Sequence, residues 1–300
     1  MSASLADSEL DAWQSGAATR RYFVVDVFTQ VPLEGNQLAV FTDARGLSSD
    51  QMQRLAREMN FSETVFVLPP ERAGDVRVRI FTPRRELPFA GHPVLGCAFV
   101  VAEARDRDAV SLETGLGAIP VELEHEDGRT VFGRMQQVVP EWGPYEREAE
   151  LLAALGVERS GLPVEAYPNG PRHVYVELES EEAVAALTPN WSALAELRDI
   201  AANCFAGAAR SWKTRMFAPS GGVVEDPATG SAAGPLAIHL ARHGRIAFGE
   251  EIEIRQGAEV GRPSVLYARA EGSGDRIDRV EVGGRAVIVA RGEFRFPEPT

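Results

Sequence analysis

Cysteine is nearly missing from this sequence: Cys97 and Cys204 are the only two in 300 residues, too few for a disulfide framework or a Cys-rich metal site. A reduced, cytoplasmic setting is therefore expected. No apolar run approaches the ~18 residues of a membrane span. The longest, at residues 97–102 and 286–290, have the length of buried elements. Residues 1–19 are small and polar, with acids at Asp7, Glu9 and Asp11, and lack the basic start and apolar core of a signal peptide. They read as a flexible arm. Neither GxxxxGK[ST] nor GxGxxG occurs, so nucleotide cofactors have no support and none is expected. Positive charge is also scarce, with 31 basic against 44 acidic groups and a net charge of −13. That field repels phosphate backbones and anionic lipid, so neither nucleic acid nor membrane is an expected partner.

What is present suits a soluble globular chain long enough for two domains. Strand-like runs dominate at 22–28, 38–42, 64–68 and 76–82. The last alternates strictly through Val76, Arg77, Val78, Arg79 and Ile80, so one face is buried and the other carries arginine. Residues 49–59 predict an amphipathic helix with Met52, Leu55, Ala56 and Met59 on one face. Two further helices, at 93–104 and 232–243, are apolar nearly all round, which implies burial on every side.

An internal echo organises the chain. Arg79-Ile80-Phe81-Thr82-Pro83 leads to Ala90-Gly91-His92-Pro93 and the first apolar helix. Arg215-Met216-Phe217-Ala218-Pro219 leads to Thr229-Gly230-Ser231-Ala232 and the second. The offset is 136 residues at the arginines and 139 at the glycines. Such a repeat implies a duplicated domain: two halves, each a curved sheet around a central helix. Pro140, Gly143 and Pro144 mark the junction. The expected organisation is an arm at 1–20, an N-terminal lobe at 21–139 and a C-terminal lobe at 140–300, with the last strand able to return to the first lobe.

Each glycine stands at a helix start, where unpaired amides and a partial positive charge collect and a ligand can approach the backbone. A pair of such starts facing each other would grip a carboxylate; a single glycine reads first as a tight turn, and it is the paired occurrence that favours the binding role. His92 sits at one start, where the helix field favours the neutral ring. Asp226, before Pro227, reads as a turn residue or a site carboxylate. Glu63 opens an apolar strand, either as a solvated strand end or, in a dry cleft, as a base of raised pKa. Ser231 follows Gly230 but lacks the spacing of a nucleophile elbow, and reads as a binding hydroxyl. His239 and His243 have metal-ligand spacing, with no third ligand in the sequence near them.

Four segments carry a resemblance: Pro32-Leu33-Glu34-Gly35-Asn36, Glu58-Met59-Asn60-Phe61-Ser62-Glu63, Phe89-Ala90-Gly91-His92-Pro93 and Glu225-Asp226-Pro227-Ala228-Thr229-Gly230-Ser231-Ala232. They are similar to the phenazine biosynthesis protein PhzF family, as are residues 167–174, 203–207 and 234–244. The resemblance implies the diaminopimelate epimerase-like fold, an α+β architecture of two pseudo-symmetric domains, each a curved, barrel-like β-sheet wrapped around a central α-helix. It implies a cofactor-independent isomerase of trans-2,3-dihydro-3-hydroxyanthranilate, working by acid–base catalysis as a homodimer. It further implies Glu63 as the base, His92 and Asp226 completing the catalytic group, substrate contacts from Ser62, Gly91, Gly230 and Ser231, and no metal. Two alternatives are a two-base epimerase or racemase on another small cyclic amino acid and a non-catalytic metabolite-binding protein. The first would need a thiol at each helix start, where this sequence has none.

Overall fold

The computed structural model describes residues 18–296 apart from 73, 106 and 199; most of the N-terminal arm thus lies outside the described residues. Strand β1 (Ala18–Val27) begins earlier than the sequence suggests, because residues 18–20 find backbone partners in the C-terminal strand. It is followed by β2 (Asn36–Phe41), helix α1 (Ser49–Met59), β3 (Glu63–Leu68), β4 (Val76–Phe81), β5 (Glu86–Leu87), helix α2 (Gly91–Arg105), β6 (Ala109–Thr114), β7 (Gly117–Glu126) and β8 (Arg129–Gln137). The second half contains β9 (Gly143–Pro144), α3 (Glu148–Leu155), β10 (Glu165–Pro168), β11 (Arg172–Glu177), α4 (Glu181–Ala185), α5 (Trp191–Ala195), β12 (Ala201–Ala208), β13 (Ser211–Ala218), β14 (Val223–Asp226), α6 (Gly230–Arg242), β15 (Glu251–Gln256), β16 (Ser264–Ser273) and β17 (Arg276–Gly284). Strand β18 (Ala286–Phe296) then pairs along the whole of β1.

The duplication appears in the pairings. In the first half β2 and β3 are parallel across α1, and β4 and β6 are parallel across α2. In the second, β11 and β12 are parallel across α4 and α5, and β13 and β15 are parallel across α6. The remaining neighbours are antiparallel, and β8 joins β17 to make one continuous curved sheet. Two halves therefore share one architecture, each wrapping its strands round one apolar helix.

Burial explains the composition of those helices. In α2 every residue from Val94 to Ala102 with an apolar side chain is buried, and α6 is buried from Gly230 to Ala241. By contrast α1 rests on the outside of the sheet, burying only Met52, Leu55 and Ala56 over Phe41, Phe66 and Phe81. Its start is a capping box in which Ser48 and Gln51 satisfy each other's backbone N–H.

The central helices start at the glycines themselves, two residues before the sequence-based boundaries. Pro93 falls in the first turn of α2, where no N–H partner is needed, and so does not delay the helix. Pro235 lies deeper in α6 and deprives the Ser231 carbonyl of its helical donor. Asn169 Nδ2 replaces that donor at 2.9 Å, while Gln137 and Tyr175 donate to the flanking carbonyls of Gly230 and Ala232. The tip of α6 is thus held by side chains from β8, β11 and the β10–β11 turn.

The two helix tips meet head to head. A Cβ on Gly91 would collide with the Ser231 nitrogen and the Gly230 carbonyl carbon, and a Cβ on Gly230 would lie 3.0 Å from His92 N and 2.9 Å from the Phe28 ring. Because backbone blocks the way, side-chain repacking cannot relieve it. Gly91→Ala is expected to cost about 1–3 kcal/mol, as overpacking does, read from the urea-unfolding midpoint. Gly143→Ala, with open space around it, is the matched control, expected to change stability by less than about 0.5 kcal/mol.

Candidate active site

Glu63, His92, Asp226, Gly91, Gly230 and Ser231, which the sequence scatters over 169 residues, all border one cavity of about 180 Å³ between the lobes. Glu63 is the first residue of β3, placed there by the parallel pairing of Leu38 with Glu63. His92 stands in the first turn of α2, and Asp226 ends β14 just before the turn into α6. Neither central helix has an acidic residue in its first turn. Their amide-rich ends therefore present uncompensated positive potential toward the cavity.

Asn36, at the start of β2, knits the group together. Its Oδ1 accepts from Ser62 Oγ at 3.0 Å, while its Nδ2 donates to Asp226 Oδ1 at 2.9 Å and to the Ala228 carbonyl at 2.8 Å. The same Nδ2 lies 3.3 Å from His92 Nδ1. Asp226 Oδ2 accepts from Thr229 Oγ1 at 2.6 Å, and Gln256 Nε2 supports both residues by donating to Thr229 Oγ1 and the Asp226 carbonyl. One lobe supplies Asn36, Ser62, Glu63 and His92; the other supplies Asp226, Thr229 and Gln256.

Glu63 Oε2 lies 3.5 Å from His92 Nε2, which has no hydrogen-bond partner. Burial is the main force on these groups. It raises the Glu63 carboxyl well above its ordinary 4.5, helped by the nearby Asp226 charge and opposed by the Ser62 hydrogen bond. It raises Asp226 as well, against the hydrogen bonds from Thr229 and Asn36. It pushes His92 down to about 3, against a backbone hydrogen bond at Gln37, so the ring is neutral near pH 7. The result is a carboxylate able to exchange a proton in the neutral range beside an uncharged imidazole.

One expected contact lies elsewhere. Ser62 does not line the cavity; its hydroxyl bonds Asn36 and favours the Glu63 charge. Ser231 does line it, with its hydroxyl 3.0 Å from His173 Nε2. Asn36 and Thr229 were visible within motifs but had no legible role: Asn36 reaches Asp226 from 190 residues away, and Thr229 bonds Asp226 in a turn that Gln256, 27 residues on, holds in place. Arg84 and Arg85 were missed altogether. They border the cavity from the β4–β5 turn, and Arg84 Nη1 reaches across to the Ser220 carbonyl at 3.2 Å.

The thiols stand apart from this chemistry. Cys97 lies inside α2 and Cys204 inside β12, both fully buried, and burial pushes both up to about 12. His239 and His243 do acquire a third candidate ligand, Glu165 from β10. However, one oxygen of Glu165 already takes Arg242 at 2.7 Å and Tyr167 at 2.8 Å, with both histidines at 3.2 Å. A guanidinium in that position opposes a cation, and the donor set is that of a satisfied buried carboxylate.

Fold and cavity together define a class: a duplicated α+β protein with a buried carboxylate–imidazole pair between facing helix tips. The chain belongs to the phenazine biosynthesis-like protein family, whose profile matches residues 25–292. It is 57% identical over 272 residues to the trans-2,3-dihydro-3-hydroxyanthranilate isomerase of Pseudomonas aeruginosa, covering 91% of this chain and 98% of that one. The enzyme of the same name from Pseudomonas chlororaphis is 56% identical over 90% of this chain and 98% of its own. Among solved structures, a PhzF-family phenazine biosynthesis protein from Bacillus anthracis superposes with a TM-score of 0.79 at 26% identity, covering 92% and 99% of the two chains. Among the described residues no helix is long and apolar enough to cross a membrane.

A carboxyl whose pKa is raised by folding holds more protons in the native than in the unfolded state. Its contribution to stability is full below the unfolded pKa and is lost as pH rises toward the folded one. Glu63→Gln is therefore expected to gain on the wild type between about pH 5 and 8, by more than about 1 kcal/mol at the upper end, and to converge with it below about pH 4. Denaturant unfolding across that range checks this. A constant difference between the two proteins would mean that Glu63 ionises as freely folded as unfolded.

Proposed function

We propose that this chain isomerises trans-2,3-dihydro-3-hydroxyanthranilate on the way to phenazines, with Glu63 as the sole proton carrier. That the chain is an isomerase follows from 57% identity over 91% of its length to an enzyme so named. One observation supports the single-carboxylate mechanism: Glu63 is buried 3.5 Å from a neutral His92 in a cavity capped by both helix tips.

In the proposed reaction the substrate's carboxylate lies against the amides at Gly91, Gly230 and Ser231. His92 and Asp226 orient the ring through its hydroxyl and amine. Glu63 takes the proton from the hydroxyl-bearing carbon, whose C–H bond is weakened by the adjacent diene. The electron pair of that bond moves into the ring, both double bonds shift, and the carboxylate-bearing carbon becomes the acceptor. Glu63 then returns the proton to that carbon on the same ring face. The enol relaxes to a ketone. Every atom and electron is accounted for within the substrate, so the step requires no co-reactant.

The duplicated scaffold supports one base rather than two. By register, Glu63 opposite Leu38 at the start of β3 corresponds to Ala201 opposite His173 at the start of β12. Likewise His92, after Gly91, corresponds to Ser231, after Gly230. The second half offers a methyl group and a hydroxyl where the first offers a carboxylate and an imidazole. A two-base epimerase with its bases at the paired positions would lack the second one here. We further propose, from family resemblance, that the enzyme works as a homodimer in the cytoplasm.

A well-placed general base contributes ~10²–10⁴-fold to turnover. Glu63→Gln is expected to lose that factor in kcat while still binding 3-hydroxyanthranilate, the aromatic counterpart of the substrate. Incubating the wild type with the dihydro acid in heavy water, followed by NMR, should show deuterium at the carboxylate-bearing carbon. Binding without isotope exchange or turnover would identify a metabolite-binding protein, and full activity in the variant would remove Glu63 from the mechanism.

A further inference from the structure

Ser231 begins α6, and the structure dictates which way its hydroxyl works. Asn203 Nδ2 donates to the Ala201 carbonyl at 2.8 Å, which fixes how the amide is turned. The same NH₂ group faces His173 Nδ1 at 3.3 Å, so that nitrogen must offer its lone pair. His173 is completely buried, which pushes its pKa down to about 3 and keeps the ring neutral. Its one ring proton therefore sits on Nε2, 3.0 Å from Ser231 Oγ. The imidazole donates and the hydroxyl accepts. Among the described residues Ser231 Oγ has no second hydrogen-bond partner, so its own proton is left for an acceptor in the cavity that Ser231 lines.

We propose that Asn203 and His173 are positioning residues that commit Ser231 to donate a hydrogen bond to the carboxylate of the substrate. Without them a hydroxyl at a helix start has two options, accepting from a backbone N–H or donating to a ligand. With them one lone pair of the oxygen is filled by the imidazole N–H and the hydroxyl proton is turned away from His173, toward the cavity. The subsite formed by the helix amides and this hydroxyl is dominated by donors. It accepts a carboxylate, whereas a carboxamide would turn an NH₂ group toward backbone N–H groups that cannot receive it. The relay is thus a specificity device for the charged end of the ligand. It deepens the isomerase reading, on which it rests for the identity of the anion.

The test compares binding of 3-hydroxyanthranilate and of its carboxamide by calorimetry, which needs no turnover. The wild type is expected to prefer the carboxylate. His173→Phe, which keeps a ring but no N–H, should cut that preference about tenfold, the scale of one hydrogen bond to a charged group. His173→Gln, which restores an N–H donor, should recover most of it. In a Ser231→Ala background His173→Phe should change the preference less than about twofold, since the hydroxyl it acts through is gone. An unchanged preference in His173→Phe, an equal loss with and without the Ser231 hydroxyl, or no preference in the wild type would overturn the proposal. If His173→Phe does not fold, Asn203→Leu serves instead. It leaves His173 in place but releases its tautomer, and a several-fold fall in preference is expected; no fall would refute the relay. Turnover of the dihydro acid, measured separately, tests the activity. An inactive wild type that still selects the carboxylate through His173 would support the relay while refuting the isomerase reading.

Discussion

Everything in the cavity depends on two helices meeting tip to tip with nothing between them but backbone. The Gly91–Gly230 contact leaves no room for a Cβ on either side. Two positive helix ends would ordinarily be kept apart, since their fields repel. Here the surrounding sheet forces them together, and the tip of α6 is held by Gln137, Asn169 and Tyr175 through its first carbonyls, of which Pro235 leaves that of Ser231 without a helical donor. The cavity thereby gains positive potential from backbone dipoles, beside the Arg84 and Arg85 side chains that border it. In a chain of net charge −13, backbone dipoles provide attraction that is local and fixed in direction.

The polar cluster beside those tips is a joint as well as a candidate site. Asn36 links Ser62 and His92 of one lobe to Asp226 and Ala228 of the other, and Gln256 anchors Asp226 and Thr229 from behind. Buried polar groups are costly unless satisfied, and a network that satisfies them in one arrangement selects that arrangement. The atom left unsatisfied is His92 Nε2, facing Glu63. Most members of the cluster are thus fully bonded, and His92 Nε2, on the cavity beside Glu63, is not.

Duplication supplied two equivalent frames, and divergence filled them differently. The first frame carries Glu63 and His92; the second carries Ala201 and Ser231, with His173 and Asn203 behind the serine. In both, a buried neutral imidazole stands at the helix tip, though it belongs to the helix in one half and to β11 in the other. In the proposed mechanism one half moves the proton and the other holds the ligand still. Such a division suits a reaction in which the proton leaves and returns on one face of a ring.

Much of this was legible in the sequence, because the relevant signals are local. All-round apolar helices must be buried and strict alternation at 76–80 must be a one-sided strand; both are observed. The glycine at each helix start was read as room for a ligand or as a tight turn, and the structure packs the two starts against each other. The repeat of Arg79 to Gly91 in Arg215 to Gly230 disclosed the two halves, and the motif resemblance disclosed the family. What the sequence left open were pairwise facts. Whether Glu63 was a solvated strand end or a buried acid depended on β3 starting beside α2. Whether Ser62 or Ser231 bordered the cavity depended on where Asn36 and His173 reached. Glu165 could be seen near His239 and His243 only after β10 had folded against α6. Local sequence determines periodicity, caps and turns, since neighbouring residues enforce them. Burial, pKa and tautomer arise from groups distant in sequence, 30 residues apart for Asn203 and His173 and 190 for Asn36 and Asp226, and only the closed tertiary structure could decide them.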